Sequence, residues 1–271
     1  MSRIRRLTTG SALVALLLHP WISAAQDLPP RPPPPQSPQP PPAAVGEEAT
    51  KPSGAFFPTL GHNLVDDLKH IPRLNTVYWL AAGTGLALAV HPYDDEINES
   101  LTDYSGKFFV AGKVIGSTPF ILGSAFTAYG LGRWKKHPRL EHLGMDEIEG
   151  ALLTEGIVEA GKQIARRDRP LNPDGTKQAG FSFPSGHAAM TFDAATILQQ
   201  HLGYRAGIPT YLIATYVAMS RLHDNRHFAS DVAFGAAVGI IIGRSVTWHG
   251  RNFYGYPSVG KDSAEIVFAM K

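Results

Sequence analysis

Cysteine is absent from this chain of 271 residues. Disulfides, a thiolate nucleophile and thiolate-ligated zinc are therefore excluded, and stability has to come from packing. Excess charge is also lacking: 25 Lys and Arg against 23 Asp and Glu leave a formal net charge of +2. That balance, with no Lys/Arg run long enough for a phosphate-tracking groove after the extreme N-terminus, argues against a nucleic-acid partner. Any basic site must be a local cluster. Only 18% of residues are charged and 44% are hydrophobic, enough to bury one sizeable core and to exclude disorder throughout. Strict apolar/polar alternation is rare as well, Ala264-Glu265-Ile266-Val267-Phe268 being the one stretch that reads as extended.

Proline is plentiful in one place. Ten of the fifteen residues from Leu28 to Pro42 are Pro, a composition that forms an extended polyproline spacer and cannot build a core. Before it, Arg3, Arg5 and Arg6 precede the apolar Ala12-Leu13-Val14-Ala15-Leu16-Leu17-Leu18 and the small residues Ser23-Ala24-Ala25. A basic region, a short apolar region and a small-residue cleavage site predict a secretory signal peptide cut after Ala25, and hence work outside the cytoplasm. The expected organisation is a signal peptide over 1–25, a Pro-rich linker over 26–60, a helical domain over 61–250 and a C-terminal extension over 251–271.

Within that domain, segments of helical length and spacing are separated by polar or Pro/Gly punctuation. Six are expected, approximately over 74–91, 106–132, 146–166, 187–202, 208–222 and 228–246. The fold class is therefore all-α, a helical bundle with a short extended piece at its end.

Three polar patches interrupt the apolar pattern. The first ends the third helix: Lys162 lies about two turns before Arg169, and Pro170 terminates the element. Basic residues at a helix C-terminus are ordinarily explained by the macrodipole. The second is Pro184-Ser185-Gly186-His187, where an apolar helix begins. Gly lets an anion approach the backbone, Ser adds a hydroxyl donor, the free amides of a helix N-terminus favour negative charge, and His can carry a proton. The third holds Ser220, Arg221, His227 and Asp231. The spacing of four predicts that Asp231 accepts the N–H of His227 on a shared helix face, fixing the tautomer and leaving the other ring nitrogen to attack an electrophile.

Together the patches resemble the tripartite signature of the type 2 phosphatidic acid phosphatase and vanadium haloperoxidase superfamily: Lys, six residues, Arg-Pro; Pro-Ser-Gly-His; and Ser-Arg, five residues, His, three residues, Asp. The resemblance covers about residues 74–246 and implies a six-helix core. It implies that Lys162, Arg169, Ser185, Gly186 and Arg221 bind phosphate, that His227 is a nucleophile forming a phosphohistidine with Asp231 orienting it, and that His187 protonates the leaving oxygen and then activates water. It further implies a hydrolase of phosphomonoesters or lipid (pyro)phosphates with no metal and no cofactor. The alternative it carries is a vanadate-dependent haloperoxidase, in which the same cradle holds vanadate through His227.

The neighbours of these patches have plainer expectations. Arg166 and Arg167 read as a solvated helix end, His223 and Arg226 as surface, Phe181 and Phe183 as loop packing, and Asp193 as non-catalytic. Residues 74–93 and 114–132 are free of Asp, Glu, Lys and Arg, and each is near membrane-spanning length; the third helix carries Glu149, Glu155, Glu159 and Lys162, an expensive set for lipid. The expectation is an exported protein of the cell envelope, periplasmic or associated with the inner membrane, its site facing the periplasm and its partner a phosphorylated lipid or small ester.

Overall fold

A computed structural model describes residues 55–102, 107–247, 253–259 and 264–270. The expected signal peptide and nearly all of the expected linker lie outside the described residues. The helices are α1 (Phe56–His70), α2 (Leu74–Val90), α3 (Asp94–Thr102), α4 (Val110–Ile115), α5 (Thr118–Trp134), α6 (Pro138–Ala165), α7 (Gly186–Leu202), α8 (Tyr204–His223) and α9 (Ala229–Val246). Two strands follow, β1 (Phe253–Val259) and β2 (Ala264–Met270), paired antiparallel with Phe253 opposite Met270.

The bundle is built on three inner helices, each carrying an outer one. Inner α6, α7 and α9 pack on one another, while α5 lies on α6, α8 on α7 and α2 on α9. Small residues set the spacing. A Cβ on Gly239 would come within 2.1 Å of the Ala189 carbonyl, and one on Gly235 within 2.5 Å of the Ser185 carbonyl. Glycine on α9 thus lets the start of α7 dock backbone to backbone, which fixes the second sequence patch against the third. Leu153, Ile197, Val238, Ile242 and Val246 fill the core among these inner helices.

The outer helices look different. α2 buries only Gly83 and Ala87, and leaves Leu74, Val77, Tyr78, Leu80, Leu86 and Leu88 exposed. On α5 Phe120, Phe126 and Leu131 are exposed, and on α8 Ile208, Leu212, Ile213 and Met219. By length and composition α9 is the single helix among the described residues that could cross a membrane alone, and 72% of that stretch is buried within the bundle.

Four elements depart from the expected pattern. α1 begins at Phe56, inside the stretch 26–60 that composition gave to the linker. The predicted helix over 106–132 is broken into α4 and α5, which meet at 58°. Gly116 and Ser117 leave the helical path, and Pro119 starts the new helix without needing an N–H partner. α3 is short and polar, so apolar periodicity gives no sign of it. α6 starts at Pro138, well before the predicted residue 146, capped by the His137 side chain, which accepts from the Leu140 amide at 3.2 Å.

Candidate active site

The C-terminus of α6, the N-termini of α7 and α9 and the C-terminus of α8 meet at one end of the bundle. α6 stops because Arg166 turns left-handed, at φ 47°. The chain returns through a loop held by an Asp168–Phe181 bridge and by the Ser182 amide donating to the Arg167 carbonyl at 2.7 Å. It enters α7 at Ser185, whose amide donates to the Asp231 carbonyl at 3.1 Å. The hydroxyl of Ser185 is buried and has no hydrogen-bond partner. A buried hydroxyl beside the free amides of a helix N-terminus is a donor set waiting for an acceptor.

Cations surround that point. Lys162 Nζ lies 3.9 Å from where a Cβ of Gly186 would stand, and pairs with Glu159 at 2.6 Å. Arg221 is buried, bonded to Ser220 Oγ at 3.0 Å and to Asp224 at 2.7 Å. Arg169 donates to the Arg226 carbonyl at 3.3 Å, and its buried Nε has no partner. Burial and then the nearby Arg226 lower the pKa of Arg169; Asp231 opposes them and Arg221 adds to them. These cations are crowded enough to repel one another, which a bound oxyanion would relieve.

The two histidines feel the same field. Burial first, then Arg221, lowers the pKa of His187 to about 4, with Lys162 and Arg169 contributing and a bond to the Lys113 carbonyl opposing. That bond, from Nε2 at 3.2 Å, holds the ring beneath the α4–α5 break, where a Cβ on Gly116 would come within 3.0 Å of it. His227 is pushed well below its ordinary value by burial, then by Arg169, against a bond to Ser182. His227 Nδ1 stands 2.7 Å from the Ser182 carbonyl, which can only accept. The proton is therefore on Nδ1, and the Nε2 lone pair is free.

The structure brings Lys162, Arg169, Ser185, Gly186, His187, Arg221, His227 and Asp231 to this end, but corrects one contact. Asp231 does not accept from His227. His227 precedes the helix, since α9 starts at Ala229 with Phe228 as its N-cap, so the spacing of four does not place the two on one face. Asp231 is the third helical residue, and its carboxylate folds back to accept from the Phe228 amide at 2.9 Å and from Ser182 Oγ at 2.5 Å. Its influence on His227 passes through Ser182, whose hydroxyl it holds and whose carbonyl holds the imidazole.

Arg167 is a second correction. Expected on a solvated helix end, it is instead a clamp, donating to Asp231 Oδ1 at 2.7 Å, Ser230 Oγ at 2.7 Å and Asp94 Oδ2 at 2.8 Å, over the Phe228 ring at 4.2 Å. Asp94, at the start of α3, also accepts from the Ser230 amide at 2.8 Å. Burial raises the pKa of Asp94, but its bonds to Arg167, Ser230 and His91 outweigh that and hold it below the usual carboxylate value. Phe183 packs on Phe234 at 4.7 Å, as expected of a loop aromatic. His223 packs on Phe109 at 4.8 Å, and Arg226 donates to Gln178 at 3.2 Å. Asp193 is buried in the bundle near Gly150 and Gly243. Nothing in the sequence near Asp94 marked it, because its partners lie far along the chain.

Comparison with known proteins agrees with this geometry. Residues 146–254 match the family model of the PAP2 superfamily. The chain is 34% identical over 182 residues to the lipid A 1-phosphatase of Porphyromonas gingivalis, a match covering 65% of this chain and 39% of that protein. It is 38% identical over 90 residues to the decaprenylphosphoryl-5-phosphoribose phosphatase of Mycolicibacterium smegmatis, covering 32% of this chain and 48% of the relative. The chain thus spans less than half the length of either relative. Among solved structures, the transmembrane PAP2 type phosphatidylglycerolphosphate phosphatase from Bacillus subtilis superposes with a TM-score of 0.51 at 21% identity, over 64% of this chain and 94% of the other, a likeness of fold. The three motif patches thus converge on one cradle within helices whose sequence is similar to the PAP2 superfamily.

Proposed function

We propose that the protein is a phosphatase that hydrolyses a lipid phosphate through a phosphohistidine on His227. The observation that carries this reading is the pairing of a free Nε2 lone pair on His227 with crowded cations and an unpartnered Ser185 hydroxyl around one point.

Lys162, Arg169 and Arg221, with Ser185 Oγ and the Gly186 amide, take the phosphate oxygens and stabilise the charge that spreads over them during in-line transfer. His227 Nε2 forms the N–P bond as the P–O bond to the leaving group breaks, and that oxygen takes a proton from His187. A water then gives its proton to His187 and attacks phosphorus, the N–P bond breaks, and phosphate leaves. The bound anion supports this cycle by raising the pKa of His187, since its charge offsets the cations that depress it. Asp231 and Arg167 hold Ser182 and the start of α9, and so the direction of His227. The protein itself supplies the charge stabilisation, without a catalytic metal.

The substrate is an amphiphile. The apolar residues exposed along α2, α5 and α8 suit contact with lipid, which supports a phosphorylated lipid headgroup as the cradle's ligand. Lipid A 1-phosphate, in the name of the 34% identical relative, is the first substrate to test. The N-terminal signal-like and Pro-rich segments support export and a tethered position in the cell envelope, with the site toward the periplasm.

The test is a panel of lipid phosphates and small phosphomonoesters, with and without vanadate, beside a bromide and peroxide assay. Phosphate release from lipids, blocked by vanadate, is expected. Halide oxidation that requires vanadate, without phosphate release, would overturn the reading in favour of a haloperoxidase. Fractionation checks the location: the protein should need detergent for release from membranes, and recovery in the soluble fraction would contradict lipid contact.

A further inference from the structure

At the other end of the bundle, His142, Asp146 and His201 converge. His142 and Asp146 are one turn apart on α6, and His201 is in the last turn of α7. His142 Nε2 lies 3.3 Å from Asp146 Oδ1, and His201 Nε2 lies 2.8 Å from Asp146 Oδ2. The imidazole rings meet edge to face at 5.2 Å, and one ligand atom from each residue lies within 4.8 Å of the others. Asp146 is 1% exposed, His201 15% and His142 44%, so the carboxylate is fixed while one side stays open to solvent.

We infer that these three residues form a site for a first-row divalent cation, zinc first, that ties α6 to α7. The donor set fits: two neutral imidazoles and a carboxylate are ligands of zinc and its neighbours, and water can complete the shell through the open side. The spacing is within reach. Ligand atoms about 2.1 Å from a tetrahedral zinc stand about 3.4 Å apart; His142 Nε2 is at 3.3 Å from Asp146 Oδ1, and His201 Nε2, 2.8 Å from Oδ2, needs a small outward shift. The remaining edge closes by a rotation of His142, whose exposure leaves it room. A metal-free pair of His–Asp hydrogen bonds is the competing account of the same contacts.

The ion has no part in phosphoryl transfer. His201 is fourteen residues after His187, so the two sites are about 21 Å apart along α7. The inference therefore stands independently of the phosphatase reading, and its test does not read activity. Tag-free full-length protein in detergent is stripped with EDTA, freed of chelator and titrated with zinc chloride, with metal content and thermal unfolding measured. About one zinc per chain is expected, and at about a hundredfold above Kd a rise in Tm of about 5 °C. His142→Ala should abolish the rise while leaving the zinc-free Tm within about 2 °C of the parent, because the position is exposed. His201→Gln should also abolish it. His62→Ala, at a surface His–Asp pair on α1, should retain it. No zinc-dependent shift in the parent protein, or an undiminished shift in His142→Ala, would overturn the site.

Discussion

The two ends of α7 are chemically opposite. At its N-terminus Ser185, Gly186 and His187 face Lys162, Arg169 and Arg221, whereas at its C-terminus His201 meets the buried carboxylate of Asp146. The helix macrodipole runs the same way, its positive end where an anion would bind and its negative end where a cation would. One helix can thus favour an anion at one end and a cation at the other, because its amides and its carbonyls point in opposite directions. The inner helices carry most of both ends, with Arg221 added to the first from the outer α8, whereas the outer α2 and α5, with their exposed apolar faces, contribute to neither.

The largest effect should come from His227→Ala, which removes the proposed nucleophile and should lower kcat at least about 10⁴-fold while leaving the proposed zinc binding at the far end intact. Steady-state phosphate release and the zinc titration, run on the same preparation, check both halves. Arg169→Lys and Arg221→Lys should each lower kcat/KM about 10²–10³-fold, since an ammonium cannot reproduce bidentate contact with a phosphate. His187→Ala should be most damaging with poor leaving groups, and a leaving-group series reads that directly.

Arg167→Ala tests the clamp. Leaving the buried Asp94 and Asp231 without their shared cation should cost about 3–5 kcal/mol, measured by denaturant unfolding. The same variant should lose activity, although Arg167 is outside the cradle.

The smallest effect is in pH dependence. His187, lowered to about 4, and His227, held well below the usual 6.5, are both neutral in the free site at pH 7. Below about pH 6.5 the unfolded imidazoles take up protons that the folded ones refuse. The unfolded state then binds more protons, so stability is lost as pH falls from 6.5 toward 4. Thermal unfolding should show that loss, and vanadate should reduce it by favouring the charged rings.

The anion-seeking end was legible in the sequence because each of its patches is local: Lys162 to Arg169, Pro184 to His187 and Ser220 to Asp231 are short spacings. What joins the patches was not. The bond between Asp231 and Ser182, the clamp from Arg167 to Asp94 and the docking of Ser185 on Gly235 depend on chain separations that no periodicity records. The expected His227–Asp231 bond failed for a related reason, because a spacing of four has meaning only inside a helix and His227 stands just before one. The far end was missed because α6 was expected to start at residue 146, which left His142 outside any element. The bundle itself was legible from apolar spacing, except where a helix is polar, as α3 is, or broken, as at Gly116.

The central claim is that His227 carries the phosphoryl group. Brief reaction with a ³²P-labelled lipid phosphate, followed by denaturation in alkali, should trap a labelled protein whose phosphate survives base and is released by acid. Label on the parent protein and on His187→Ala, but none on His227→Ala, is the predicted result; equal labelling of His227→Ala, or an acid-stable and base-labile adduct, would contradict it.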